Sequence, residues 1–182
     1  METPARQLNA AADASIGALI AQARDGSSDA LASLYREHAE AMMAVAYRLL
    51  MSRPDAEDVV HDVFVGLPEA LRKYEERGSF ASWIKRVTVR VALSRLRAER
   101  RTTDIDHASE AHATARDVVT HVALRDAIAS LSPALRAVLV LKEIEGFSHA
   151  DIAGMLGISV AASEVRLHRA LRALRTILRD DR

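Results

Sequence analysis

The chain has 182 residues, with 25 Lys and Arg side chains against 25 Asp and Glu, and this zero formal charge, taken as a sum, gives no reason to expect a nucleic-acid partner. That length allows one domain or two small ones, and a makeup 49% apolar and 27% charged excludes disorder throughout. The absence of cysteine excludes disulfides, thiolate metal sites and thiol catalysis and suits a cytoplasmic setting, while no apolar run approaches the ~20 residues of a membrane span and residues 1–9 lack the apolar core of a signal peptide.

Glycine and proline are scarce and fall between stretches of helical period, so the expected fold class is all-α: two small helical bundles joined by a flexible linker. Residues 1–12 are expected to be a flexible N-terminus. A short helix is expected over 13–23, and the polar run Gly26-Ser27-Ser28-Asp29 then supplies a turn and an N-cap for an amphipathic helix reaching about Met51. Asp55 is a good N-cap for a strongly periodic stretch over 56–65. Gly66 and Pro68 predict a stop or kink, because proline inside a helix removes a hydrogen bond at a cost of about 3 kcal/mol. After the loop at Arg77-Gly78-Ser79, Ser79 caps a long helix to about Arg100. Residues 102–124 read as a linker, with helical pattern returning from Val118 to Ser130. Ser132-Pro133 opens a further helix that Gly146 closes. Ser148 caps a short helix ending at Gly157, and Ser159 caps the last one, to about Arg179.

Charge is neutral only as a sum. Residues 55–76 hold seven acidic and two basic side chains, 77–101 hold eight basic and one acidic, and 164–182 hold six basic and three acidic. Such segregation predicts separate surfaces for separate partners. At about 100° per residue, Val59, Val60, Val63 and Phe64 form a core face, and Asp55, Asp58, His61, Asp62 and the odd exposed Val65 lie on the other. An apolar residue amid carboxylates suits an interface with a basic protein surface better than a merely solvated face. In the helix from Ser79, Phe80, Trp83, Ile84, Val87 and Val91 share one face, and Val89, Leu93 and Leu96 share the opposite one. Arg86, Arg90 and Arg97 fall within about 40° of one another on the open side. That stripe suits a phosphate backbone, and Lys73, Tyr74 and Arg77 in the preceding loop suit stacking on an extruded base. Phe80 and Trp83 are expected to be core.

Residues 148–159 read as a helix-turn-helix. Ala153 is small where two helices cross, Gly157 permits a left-handed turn, and Ile152, Leu156 and Ile158 supply shared core. The second helix of such a motif enters the major groove, and here it carries Arg166, His168, Arg169, Arg172 and Arg175 opposite Leu167, Leu171, Leu174 and Leu178.

The whole pattern resembles the extracytoplasmic-function (ECF, group IV) sigma factors of bacterial RNA polymerase. The resemblance is carried by Asp55-Ala56-Glu57-Asp58-Val59-Val60-His61-Asp62-Val63-Phe64, Arg77-Gly78-Ser79-Phe80-Ala81-Ser82-Trp83-Ile84 and Arg95-Leu96-Arg97, then by Leu131-Ser132-Pro133, Gly146-Phe147-Ser148, Asp151-Ile152-Ala153 and Arg166-Leu167-His168-Arg169-Ala170. It implies a sigma-2-like domain over 13–101, which binds core RNA polymerase and the minus-10 element, and a sigma-4-like domain over 125–182, which binds the minus-35 element. On that resemblance Asp55, Glu57, Asp58, His61, Asp62 and Val65 dock on the clamp helices of the polymerase. Lys73, Tyr74, Arg77, Ser79, Arg86, Arg90 and Arg97 read minus-10 DNA as it opens. Ser159, Ala161, Ala162, Glu164, Val165, Arg166, His168, Arg169 and Arg172 read minus-35 DNA. The linker, with Asp104, Asp106 and Glu110, threads toward the polymerase channels. An anti-sigma factor is the further partner implied, with no membrane insertion.

The chain departs from the family pattern at Pro68, where many relatives have tryptophan, at Arg90, where many have asparagine, and at Ser163-Glu164-Val165, where a Val-Lys-Ser run is common. Ser163 falls in the middle of the apolar face, where it can bond back to a helix carbonyl. Val165 points outward, toward a thymine methyl, and Glu164 toward a cytosine amino group or a surface ion pair. The alternative function is a helix-turn-helix regulator that binds duplex DNA by itself, which accounts for residues 127–179 but leaves the first bundle unused. No catalytic residue and no cofactor is expected: the chain has no phosphate-binding Gly-rich loop ending in Lys-Ser/Thr. The spacings of His107, His112 and His121 put no two of them on one helical face, so no metal site is expected.

Overall fold

The computed structural model describes residues 15–75, 79–103 and 121–180. Among these residues there is no strand. The helices are α1 over residues 15–24, α2 (Ser28–Leu50), α3 (Arg53–Arg72), α4 (Phe80–Thr103), α5 (His121–Ser130), α6 (Pro133–Leu139), α7 (His149–Leu156) and α8 (Val160–Asp180). The chain divides into two compact units, residues 1–47 with 52–91 and residues 48–51 with 92–182.

In the first unit the core is built from the apolar stripes of α1 to α4. Ile20, Leu34, Met42, Leu67, Leu71 and Ile84 are fully buried in it. The turn between α1 and α2 uses Gly26 at φ 88°, and the Ser27 hydroxyl accepts from the Ala30 amide at 3.3 Å. The cap of α3 is Ser52 and not Asp55: its hydroxyl accepts from the Asp55 amide at 3.4 Å, which places Asp55 inside the first turn, where its charge suits the helix dipole. The stop expected as one outcome at Gly66 and Pro68 does not occur: α3 continues through both to Arg72. Leu67 and Leu71 on either side of Pro68 are wholly buried, and that burial, worth about 1.5 to 3 kcal/mol per side chain, offsets the missing amide bond.

In the second unit α5, α6 and α8 enclose a core of Ala127, Leu131, Leu139, Ala170 and Leu174. Arg136 is buried there and its Nη1 donates to the Ala129 carbonyl at 2.9 Å, tying α6 to the end of α5. Ser132 stands at the N-cap of α6 but makes no side-chain cap bond, so Pro133 alone marks the start. Helix α6 continues into one wider turn, Val140–Ile144, closed by the Glu145 amide on the Val140 carbonyl at 3.0 Å. Gly146, at φ 74°, ends it. No described helix is long and apolar enough to cross a membrane.

Candidate polymerase and nucleic-acid interfaces

The inward face of α3 is Ala56, Val59, Val60, Val63, Leu67 and Leu71, all buried. The opposite face presents Glu57, Asp58, His61 and Asp62 to solvent, with Asp55 half-buried. Val65 is 68% exposed beside them, the expected placement for an apolar residue with no partner inside the domain. Glu57 pairs with Arg53 at 2.9 Å across one turn, and Asp58 and Asp62 are exposed on the same outward face in the middle of the helix. Beneath them, the Phe64 and Tyr35 rings meet edge-on at 4.7 Å and brace α3 against α2.

Helix α4 starts at a working cap: Ser79 Oγ accepts from the Ser82 amide at 3.2 Å. Arg86, Arg90 and Arg97 are all exposed, and Arg97 Nε donates to the Leu93 carbonyl at 3.1 Å. Lys73 is exposed at the C-cap of α3, and Ser79 is exposed. Arg77 lies outside the described residues, as do the linker acids Asp104, Asp106 and Glu110 and the histidines His107 and His112.

Tyr74 differs from the expectation of a free stacking platform. It is buried to 6% exposure, with its ring 4.7 Å from Trp83 and 5.6 Å from Phe80. The side chain belongs to the aromatic junction between the end of α3 and the start of α4, and its apolar ring is worth more there than in water. Sequence reading passed over Arg24, the residue that holds this junction from α1: its Nε donates to the Leu71 carbonyl at 2.8 Å and its Nη2 to the Tyr74 carbonyl. A single arginine after Ala23 gives no periodic signal, so only the folded geometry identifies it.

The helix-turn-helix is specified by local chemistry. Ser148 and Asp151 form a reciprocal capping box at the start of α7, the hydroxyl accepting from the Asp151 amide at 3.1 Å and the carboxylate from the Ser148 amide at 3.3 Å. Gly157 takes the left-handed conformation at φ 66°, ψ 39°, which a side chain would strain. Ser159 Oγ accepts from the Ala162 amide at 3.1 Å and opens α8. On α8, Ala161, Glu164, Val165, His168, Arg169 and Arg172 are exposed, while Ala162 and Arg166 are half-buried. Ser163 is wholly buried as its place on the apolar face implies, but its partner is the His149 ring nitrogen Nδ1 at 2.9 Å. The hydroxyl therefore links α7 to α8, and His149 is a second residue that sequence reading left aside.

Residues 34–102 match sigma-70 region 2 and residues 121–174 match sigma-70, region 4. The RNA polymerase sigma factor CnrH of Cupriavidus metallidurans is 30% identical over 90% of this chain and 94% of its own length. CarQ of Myxococcus xanthus, also an RNA polymerase sigma factor, is 28% identical over 85% of this chain and 92% of its own. The ECF RNA polymerase sigma factor SigE of Mycolicibacterium smegmatis is 30% identical over 80% of this chain, which spans only 60% of that longer relative. Among solved structures, CnrH in complex with the cytosolic domain of CnrY superposes with a TM-score of 0.57 at 28% identity, over 90% of this chain and 97% of that one. The sigma factor RpoE bound to the anti-sigma factor NepR from Bartonella quintana shares the fold at a TM-score of 0.59 and 22% identity, over 79% of this chain and 92% of that one. With both sigma-70 regions in order and a relative of matching length at this identity, the chain belongs to the ECF sigma factors, the subunits that direct RNA polymerase to promoters.

Proposed function

We propose that this sigma factor is of the group IV class and divides its work among three surfaces. Residues 13–101 form the sigma-2-like domain, 102–124 the linker and 125–182 the sigma-4-like domain. Asp55, Glu57, Asp58, His61, Asp62 and Val65 on α3 dock on a basic surface of the core polymerase. Lys73, Arg77, Ser79, Arg86, Arg90 and Arg97 hold the minus-10 strand, with phosphate neutralisation supplying affinity. Ser159, Ala161, Ala162, Glu164, Val165, Arg166, His168, Arg169 and Arg172 face the minus-35 duplex, where α8 enters the major groove. Arg166, being half-buried, contributes less reach than Arg169 and Arg172.

The observation that carries the polymerase surface is Val65, 68% exposed on the face of Asp58, His61 and Asp62. An isolated apolar side chain needs no explanation, but one on the same face as two exposed carboxylates combines an anchor with electrostatic complementarity to a basic partner. The chain acts without catalysis of its own: bond formation belongs to the polymerase. It works in the cytoplasm, and an anti-sigma factor covers its polymerase and DNA surfaces until a signal releases it, a reading supported by CnrH having been solved with the cytosolic domain of CnrY.

Replacing both Asp58 and Asp62 with Lys tests the polymerase surface. Both side chains are exposed, so the helical content and melting of the full chain should stay as they are. Capture by core polymerase should be lost. Undiminished capture by core polymerase sinks this interface.

A further inference from the structure

Three observations converge on the junction between α3 and α4. First, Arg24 of α1 sends Nε to the Leu71 carbonyl at 2.8 Å and Nη2 to the Tyr74 carbonyl, so one planar guanidinium binds two carbonyls at the end of α3. The fork geometry of arginine allows this, and the point charge of lysine does not reproduce it. Second, the same guanidinium lies 5.9 Å from the centroid of the Tyr74 ring, within range of a cation–π attraction. Third, Tyr74 meets Trp83 at 4.7 Å and Phe80 at 5.6 Å, and Phe80 meets Trp83 at 5.4 Å, so the ring held by Arg24 is part of the first turn of α4 as well. Arg24 therefore fixes where α3 ends relative to where α4 begins. Lys73 and Ser79 flank that junction, and Arg86 and Arg90 follow Ser79 by about two and three turns.

The last carbonyls of a helix lack intrahelical donors; at this end the Lys73 amide bonds the Ala70 carbonyl at 3.2 Å and the Tyr74 amide the Leu71 carbonyl at 3.1 Å, and Arg24 adds the long-range tie to α1. Residue 24 also lies before the start of the sigma-70 region 2 match at residue 34. We propose that Arg24 is a positioning residue for minus-10 recognition, setting through Leu71 and Tyr74 the register of Lys73, Ser79, Arg86 and Arg90 on the DNA. This rests on the reading of α4 as the minus-10 surface. It extends that reading to α1, whose Arg24 acts through the end of α3 and the aromatic junction.

The test uses the full chain with its host's core polymerase on a promoter template from which the wild-type holoenzyme initiates, beside two copies of it: one with a substituted minus-10 base and one with a substituted minus-35 base. Open-complex formation gives a discrimination ratio for each element, and core affinity and melting are measured in parallel. In Arg24→Ala the minus-10 ratio should fall about tenfold, the worth of one base's discrimination, while the minus-35 ratio and core affinity stay within about twofold. Arg24→Lys, which keeps the cation but not the fork, should fall between. A minus-10 ratio that Arg24→Ala leaves unchanged overturns the proposal, as does a parallel loss of both ratios and core affinity, which would make Arg24 a scaffold residue only. Arg90→Ala separates this from the reading beneath it: a lowered minus-10 ratio there with none in Arg24→Ala removes Arg24 alone, whereas no change in either removes α4 as the minus-10 surface and the proposal with it.

Discussion

His149 Nδ1 and Ser163 Oγ stand 2.9 Å apart and join the two helices of the helix-turn-helix through a hydrogen bond, in which Ser163 is wholly buried. A buried polar pair of this kind contributes modestly when intact and costs more when one member is left alone. The position otherwise belongs to the apolar face of α8, so the serine is tolerated because α7 brings it an imidazole.

Removing both partners should therefore cost less than the two single removals added together. Ser163→Val and His149→Phe should each destabilise the chain by about 1 to 2 kcal/mol, and the double variant by less than their sum, with a coupling of about 0.5 kcal/mol or more. Urea unfolding of the four proteins measures the cycle. Strict additivity would mean that the pair is not coupled.

Acid should weaken the first unit through His38. Its side chain is buried, Nε2 has no hydrogen-bond partner among the described residues, and the ring lies 5.1 Å from Phe80. Burial holds its pKa below the ordinary value of 6.5, with the Glu37 carboxylate opposing that shift. The cavity beside it is also lined by Lys85, a further charge unfavourable to an imidazolium. The folded state thus binds fewer protons than the unfolded state below pH 6.5, so stability is complete above that pH and declines as pH falls toward the lower folded pKa. His38→Phe should flatten the slope of unfolding free energy between about pH 7 and 5. A slope equal to that of the wild type would assign the acid sensitivity elsewhere.

Arg169 is exposed on α8 with no side-chain contact needed for the core. If it neutralises a phosphate, Arg169→Ala should reduce the slope of log affinity against log salt by about 0.9 on a minus-35 duplex. Fluorescence anisotropy of the holoenzyme over a salt series reads that slope, and no change would place Arg169 in solvent.

Much of the fold was legible because its signals act over one turn of helix. Ser79, Ser148, Ser159 and Gly157 mark helix ends through their own hydroxyls or backbone freedom, and each stands where its type predicts. Pro68 misled because its cost is local while the compensation, burial of Leu67 and Leu71, is tertiary. The same reason explains Tyr74 and Ser163. Their partners, Arg24 and His149, lie 50 and 14 residues away, and no periodicity connects them. The exposed faces were legible in another way: Val65 and Val165 stand out because apolar residues on a charged stripe have no use in the core, and at 68% and 49% exposure both face outward.

Run-off transcription reconstituted from core polymerase, this chain and promoter fragments tests the central claim most directly. Initiation from a defined start site should require both proteins, and the Asp58→Lys, Asp62→Lys variant should abolish it without loss of fold. Tight sequence-specific binding of the chain alone to duplex DNA, with no initiation when core polymerase is added, would contradict the account and identify an autonomous helix-turn-helix regulator.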